Sequence, residues 1–372
     1  MLQSLQYLKL SGFGSPGREA QITDAGLATI MGLTALTHLE LRCCHTISGE
    51  GLLRQGCYLG KPLRASLIHV DFAYCKAIAD VGLALMGNMT RLAHLDLEDC
   101  AEITDQGLHH LGNLTTLTYL ELHAGSCTDE GLNSLGSLTR LTCQKITADD
   151  ITDDGLLCLS RMCALNKLVV RDAFFFTGAG LGFMPDLGTL QSLDLVRCAN
   201  ISNEGMKYLT GMTSLTKLAF CESYAFSDVL LQYLTSMGSL RALCLSGDGC
   251  EDVTCKGLQY VGCCTALTLL RLDDCSAISA GFEHLDRLVF LSTLSLENCG
   301  ITDDGVRLLS ELASLKASLT YLSLAYCKHI TGACLVHLTN FGRLSSLHLS
   351  DCNVSKDELD CFLEDMPMLC DM

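Results

Sequence analysis

The sequence predicts an α/β fold, a leucine-rich-repeat solenoid (horseshoe) with parallel strands on the concave face and helices on the convex face. Three observations carry that prediction. A unit beginning Leu-x-x-Leu-x-Leu-x-x-Cys runs on into Ile-Thr-Asp-x-Gly-Leu, most regularly at Leu92, Leu95, Leu97, Cys100, Ile103, Asp105, Gly107 and Leu108. The unit recurs about every 25 residues from end to end, as stacked repeats do. Inside it the apolar period changes from two to that of a helix.

The first element of each unit is a strand. Leu95 and Leu97 alternate with His94, Asp96 and Glu98, a half-buried pattern with leucines inward. The second is a helix: Thr104 or Asp105 can cap orphan amides, and Leu108 and Leu111 continue at helical spacing. No unit buries its leucines alone, so stability is a sum of unit and interface terms, and the ends need caps. The leading leucines fall at Leu5, Leu36, Leu67, Leu92, Leu117, Leu138, Leu165, Leu190, Leu215, Leu240, Leu267, Leu291, Leu319 and Leu344, which makes fourteen units. Five spacings stretch to roughly 27 residues or more, and such insertions map to loops. Length alone suggests two or three domains, but the repeat argues for a single domain over 1–372. Residues 356–372 form its carboxyl-terminal cap, with Leu359, Phe362 and Leu363 on one face of a closing helix. At the other end Leu2, Leu5, Leu8 and Leu10 leave an apolar face to be covered by further residues or by another chain.

Cysteine is abundant, with 23 residues, and its positions decide its role. Cys44, Cys75, Cys100, Cys198, Cys275, Cys299, Cys327 and Cys352 each follow the third strand leucine by three residues, where a buried thiol can donate weakly to turn carbonyls. The pairs Cys43-Cys44 and Cys263-Cys264 lack zinc-ligand spacing. Many thiols without paired-cysteine end caps point to a reducing compartment, cytoplasmic or nuclear. The amino terminus opens directly on a repeat strand, which reads as no signal peptide, and no apolar run is long enough to span a membrane. Sequons at Asn88, Asn113, Asn200 and Asn353 would then be idle. A formal net charge of −17, with no Trp, argues against nucleic acid as a partner.

The combined pattern Leu-x-x-Leu-x-Leu-x-x-Cys-x-x-Ile-Thr-Asp-x-Gly-Leu resembles the cysteine-containing subclass of leucine-rich repeats, as in F-box/LRR substrate receptors of SCF ubiquitin ligases. The resemblance covers essentially the whole chain. It implies a role in ubiquitin-dependent protein degradation, with the array holding a substrate. An SCF adaptor would be engaged through an F-box, a helical segment not present here. The alternative is a ligase-independent scaffold or adaptor protein.

Recognition has to come from the outward strand positions. One column runs Tyr7, His38, His69, His94, Tyr119, Arg140, Lys167, and beside it runs Lys9, Glu40, Asp71, Asp96, Glu121. Adjacent strands lie about 4.8 Å apart, so stacked carboxylates repel and call for a counter-charge. That charge comes either from a basic partner or a cation, or from partial protonation of the neighbouring histidines. A flat row is a poor coordination shell, so no metal or other cofactor is expected. From the sixth unit the sign switches, with Arg140, Lys145, Lys167, Arg171 and Arg197 forming a basic patch. Phe176 takes the slot of the packed isoleucine, which leaves Phe174 and Phe175 at the rim, and Tyr224 lies at the rim where Phe226 takes the same slot. Aromatics beside Arg171 and Arg197 have the composition of an interface hot spot. No phosphate loop or nucleophile–base grouping stands out, and outward-facing Cys43, Cys221 and Cys244 lack a base. The chain reads as a protein-binding array and not an enzyme.

Overall fold

The computed structural model describes residues 4–11, 22–52, 66–184, 188–223, 227–247, 250–366 and 369. The chain forms two compact units, Met1–Thr189 and Leu190–Met372. The first holds strands β1 (Tyr7–Ser11), β2 (His38–Arg42), β3 (His69–Asp71), β4 (His94–Leu97), β5 (Tyr119–His123), β6 (Cys143–Thr147) and β7 (Lys167–Arg171). Each pairs in parallel with the next in chain order. The second holds β8 (Ser192–Val196), β9 (Lys217–Cys221), β10 (Ala242–Ser246), β11 (Leu269–Leu272), β12 (Thr293–Ser295), β13 (Tyr321–Ser323) and β14 (Ser346–His348), paired the same way. Strand leucines such as Leu39, Leu41, Leu95 and Leu97 are fully buried, each worth about 1.5–3 kcal/mol.

Returning segments are short. The first unit has α1 (Asp24–Ile30), α2 (Asp80–Met86), α3 (Asp105–Leu111) and α4 (Asp129–Asn133). The second has α5 (Asn203–Met206), α6 (Asp228–Tyr233), α7 (Gly257–Val261), α8 (Asp303–Glu311), α9 (Ala313–Ser318), α10 (Leu335–Leu338) and α11 (Lys356–Asp365). Elsewhere 3-10 turns replace the helix, as at Asp153–Arg161 and Phe282–Arg287. The closing helix α11 carries a full capping box between Ser355 and Glu358, and its Phe362 is buried.

The Thr-Asp pair divides two tasks. Thr104 is the N-cap of α3, its hydroxyl oxygen accepting from the Gln106 N–H. The aspartate instead bonds the following repeat: Asp80 accepts from the Thr104 N–H at 2.9 Å and its hydroxyl at 2.6 Å. Asp105 holds Thr128, Asp129 holds Thr152, Asp228 holds Thr254 and Asp303 holds Thr331 in the same way. The cysteines form a parallel ladder. Cys75 donates to the Leu41 carbonyl at 2.8 Å, Cys100 to Phe72, Cys299 to Leu272, Cys327 to Leu296 and Cys352 to Leu324, each reaching the preceding repeat.

One repeat is registered differently from the sequence reading. In β6, Cys143 pairs with Tyr119 and Lys145 with Glu121, so the leading leucine is Leu141 and not Leu138. Leu138 closes the preceding 3-10 turn onto Leu135. The strand was masked because a polar residue, Gln144, occupies the second leucine slot, where it is fully buried. Its amide has no hydrogen-bond partner among the described residues. Arg140 consequently sits exposed in a turn and leaves the column assigned to it. Cys43 likewise lies beyond β2, at a positive φ of 59°, and not at a strand position.

Candidate functional site

The outward positions of β1 to β5 bring five rings into one row. Tyr7, His38, His69, His94 and Tyr119 follow at centroid distances of 5.9, 5.5, 3.9 and 4.0 Å, the last two contacts stacked within 11°. On β6 the equivalent position holds Cys143, and Lys145 leans over the last ring from the neighbouring column, its Nζ 5.3 Å from the Tyr119 centroid. Parallel in-register pairing causes this, because equivalent residues of successive repeats are held a strand spacing apart.

Beside the rings, Glu40, Asp71, Asp96 and Glu121 form the second row, and cations of the same unit meet all four. Lys9 lies 2.7 Å from Glu40, which also accepts from the Tyr7 hydroxyl at 2.7 Å. Arg42 forks, with Nε 2.6 Å from Asp71 and a terminal nitrogen 3.2 Å from Asp96. Lys145 lies 2.6 Å and Arg171 3.1 Å from Glu121, which accepts from the Tyr119 hydroxyl as well. Arg171 also reaches Glu98 at 3.5 Å. The expected basic patch is thus drawn into the acidic row: Lys145 and Arg171 are its counter-ions. Lys167 stands half-buried on β7, two strands on from Tyr119.

The counter-charge does not come from His69 or His94. Burial, reinforced by the neighbouring His69 ring, drives His94 down to about 4, and burial also lowers His69. Both rings are neutral at pH 7. For Glu121, burial alone would raise the carboxyl, but hydrogen bonds from Lys145, Tyr119 and Arg171 outweigh it and hold the group below the usual carboxylate range. Asp96 goes the other way: burial, with Asp71 and Glu121 nearby, pushes it up to about 6 despite the Glu98 N–H and Arg42. Oxygens of Asp96, Glu98 and Glu121 lie within 4.8 Å of one another, and Arg42, Lys145 and Arg171 already supply the positive charge that such a cluster calls for. The counter-ion that sequence reasoning missed was Arg42. It follows Leu41 at the end of β2, outside the two columns, and reaches back across the carboxylates of the next two strands.

Layering follows from these contacts. The side chains of Asp71, Asp96 and Glu121 are each 5% exposed, whereas those of Lys9, Arg42, Lys145 and Arg171 are 58, 40, 22 and 30% exposed. Carboxylates form the floor of this face and cations with ring edges form its surface.

At the edge where the strands end, Phe176 is buried while Phe174 and Phe175 are 45 and 56% exposed. The equivalent positions of the preceding repeat are Asp149 and Asp150. Arg197 belongs to the second unit, at φ 52° and 3.6 Å from Glu222. Tyr224 and Phe226 lie outside the described residues.

In the second unit Lys217 pairs with Asp194 at 2.9 Å and Arg271 with Asp273 at 2.8 Å. Ser295 donates to Asp273 at 2.6 Å. Burial pushes the Cys244 thiol up to about 11 and raises that of Cys221, so neither supplies a thiolate at neutral pH. Among the described residues no helix is long and apolar enough to cross a membrane.

A sequence profile described as Leucine Rich repeat matches residues 32–53, 189–209 and 288–310. The chain is similar to the mitochondrial ATP synthase subunit s of Bos taurus, at 30% identity over 79 residues. That stretch is 21% of this chain and 40% of the relative, so the match spans well under half of the relative's length. Among solved structures, the fold is shared with an internalin (InlF) of Listeria monocytogenes, with TM-score 0.59 and 19% identity over 100% of this chain and 87% of that one. It is shared with a chain of the Rad7 and Elc1 complex of yeast, with TM-score 0.55 and 22% identity over 79% and 78%. It is also shared with a leucine-rich-repeat protein of Leptospira interrogans, with TM-score 0.55 and 15% identity over 100% and 96%.

Proposed function

Because the chain folds as leucine-rich repeats, we propose that it is a non-enzymatic recognition module that holds a polypeptide on the strand face of its first unit and on the Phe174–Phe175 edge. The observation that carries this reading is the exposure of two adjacent phenylalanines where the preceding repeat has Asp149 and Asp150. Exposed aromatic pairs are costly in water and characteristic of binding surfaces. The partner-facing atoms of the strand face are then the cationic heads of Arg42, Lys145 and Arg171 and the edges of His38, His69, His94 and Tyr119. Glu40, Asp71, Asp96 and Glu121 hold those heads in place.

The finer proposal is that this module is the substrate-binding part of an SCF-type ubiquitin ligase receptor, working in a reducing cytoplasmic or nuclear compartment. Its support is the sequence resemblance, together with a fold neighbour whose structure was solved as a complex of two proteins, Rad7 and Elc1. Purification of the native gene product under reducing conditions, followed by mass spectrometry, tests it. Recovery of adaptor and cullin subunits is the expected result. A different stable partner without them would assign the chain to ligase-independent scaffolds. With any captured partner, Phe174→Ala combined with Phe175→Ala should weaken affinity at least tenfold at unchanged melting temperature. A large drop in melting temperature would instead show that the two rings belong to the core.

A further inference from the structure

On the reading of this chain as a polypeptide-binding module, we infer that a groove at the strand ends of the second unit, lined by Asp274, Asn298, Tyr326, Lys328 and Asp351, receives an arginine side chain of the partner. The groove encloses roughly 500 Å³, enough for one long side chain with its flanking backbone. Four of its residues come from equivalent positions of successive repeats. Asp274, Asn298, Tyr326 and Asp351 follow β11, β12, β13 and β14, all at positive φ between 51 and 62°. The first three donate backbone N–H bonds to Glu297, Ala325 and Ser350 of the next repeat, each at 2.8 Å. These bonds hold the side chains in one rank at strand spacing.

The chemistry of the rank selects a cation with a flat face. Tyr326, which is 53% exposed, stands between Asn298 and Asp351, and Asp274 follows beyond Asn298. Asp274 accepts from the Asn298 amide at 3.0 Å and from the Gly247 N–H at 3.2 Å. Among the described residues neither Asp274 nor Asp351 is in a salt bridge, in contrast to the strand-face carboxylates, which all are. The nearby cation Arg271 is committed to Asp273. In the first unit the corresponding rank holds Tyr74 and Asp99, but there Lys76 and His123 both approach Asp99 at 3.6 Å. Among the described residues the second unit therefore presents an exposed ring in one rank with two carboxylates that no cation meets, and Lys328 is the one positive side chain lining the groove. A guanidinium stacks on such a ring and offers donors in its plane to the Asp351 carboxylate beside it, within the field of Asp274 further along the rank, which an ammonium does less well.

Fluorescence anisotropy with labelled octa-arginine and octa-lysine peptides, on the full chain at low salt, tests this. Octa-arginine should bind at least threefold more tightly than octa-lysine. Tyr326→Ala should weaken octa-arginine at least tenfold and erase that preference, Tyr326→Phe should retain both, and Asp274→Asn with Asp351→Asn should weaken it at least fivefold. Glu130→Gln with Asp154→Asn, which removes exposed charge from the first unit, should change affinity less than twofold. An equal loss in that control, or unchanged binding by Tyr326→Ala, would show diffuse attraction to an acidic protein and overturn the proposal. Circular dichroism checks that each variant is folded. The Phe174 and Phe175 variants judge the strand-face reading separately, since they lie in the other unit.

Discussion

Asp96 and His94 lie two residues apart on β4, and burial shifts their titrations with opposite consequences for stability. Asp96 titrates at about 6, against an ordinary 3.8, so the folded state holds its proton more tightly than the unfolded chain does. Between those values its contribution falls as pH rises. His94 titrates at about 4, against an ordinary 6.5, so the folded state releases its proton more readily. Between those values its contribution grows as pH rises. In the native protein the two slopes oppose each other where their windows overlap. Asp96→Asn, which keeps an oxygen for the Glu98 N–H, should therefore gain stability relative to the native chain between pH 4.5 and 7. His94→Gln should lose it over the same interval. Urea midpoints at the two pH values measure this, and parallel curves for all three proteins would refute the assignment.

At the scale of the element, the Ile-Thr-Asp-x-Gly-Leu segment is a joint as much as a helix start. Gly131 illustrates why glycine recurs there. Its backbone conformation is ordinary, but a Cβ would fall on the Asp105 carboxylate of the preceding repeat, which is already bonded to Thr128. Gly131→Ala and Asp105→Ala should each destabilise by about 1–3 kcal/mol, the first by crowding and the second by orphaning the Thr128 donors. Together they should cost less than their sum by at least about 1 kcal/mol, because removing the carboxylate makes room for the methyl group. Strict additivity in chemical denaturation would mean that the two do not share a joint.

At the scale of the whole molecule, acid and sulfur are largely built into the repeats. Asp80, Asp105, Asp129, Asp228 and Asp303 contribute to the charge of −17 while serving as inter-repeat acceptors. The cysteines of the described residues are free thiols, buried at the ladder positions Cys75, Cys100, Cys299 and Cys327, partly exposed at Cys352, and exposed at Cys163, Cys263 and Cys361. Burial pushes Cys75 up to about 12 and raises Cys100 and Cys299 as well, so the ladder lacks both access and thiolate. Maleimide labelling mapped by mass spectrometry should modify the three exposed thiols within minutes and Cys75, Cys100, Cys299 and Cys327 only in denaturant. Equal native rates would contradict the burial of the ladder.

The repeat, its strands, the structural cysteines, Phe176 in the core with Phe174 and Phe175 outside, and the closing helix were all legible in the sequence. Each depends on a periodic pattern that only one stacking satisfies. Where the pattern was interrupted, legibility failed. Gln144 in a leucine slot displaced the expected sixth strand by three residues and misplaced Arg140, and only pairing with β5 set the register. Charge compensation was also beyond the sequence, because it depends on how far side chains reach across strands. Arg42 spans from its own strand to Asp71 on the next repeat and Asp96 two repeats away, and Arg171 reaches Glu121, fifty residues earlier in the chain. Periodicity determines which residues share a column, whereas the tertiary structure decides which columns neutralise one another, and so which atoms are left facing outward for a partner.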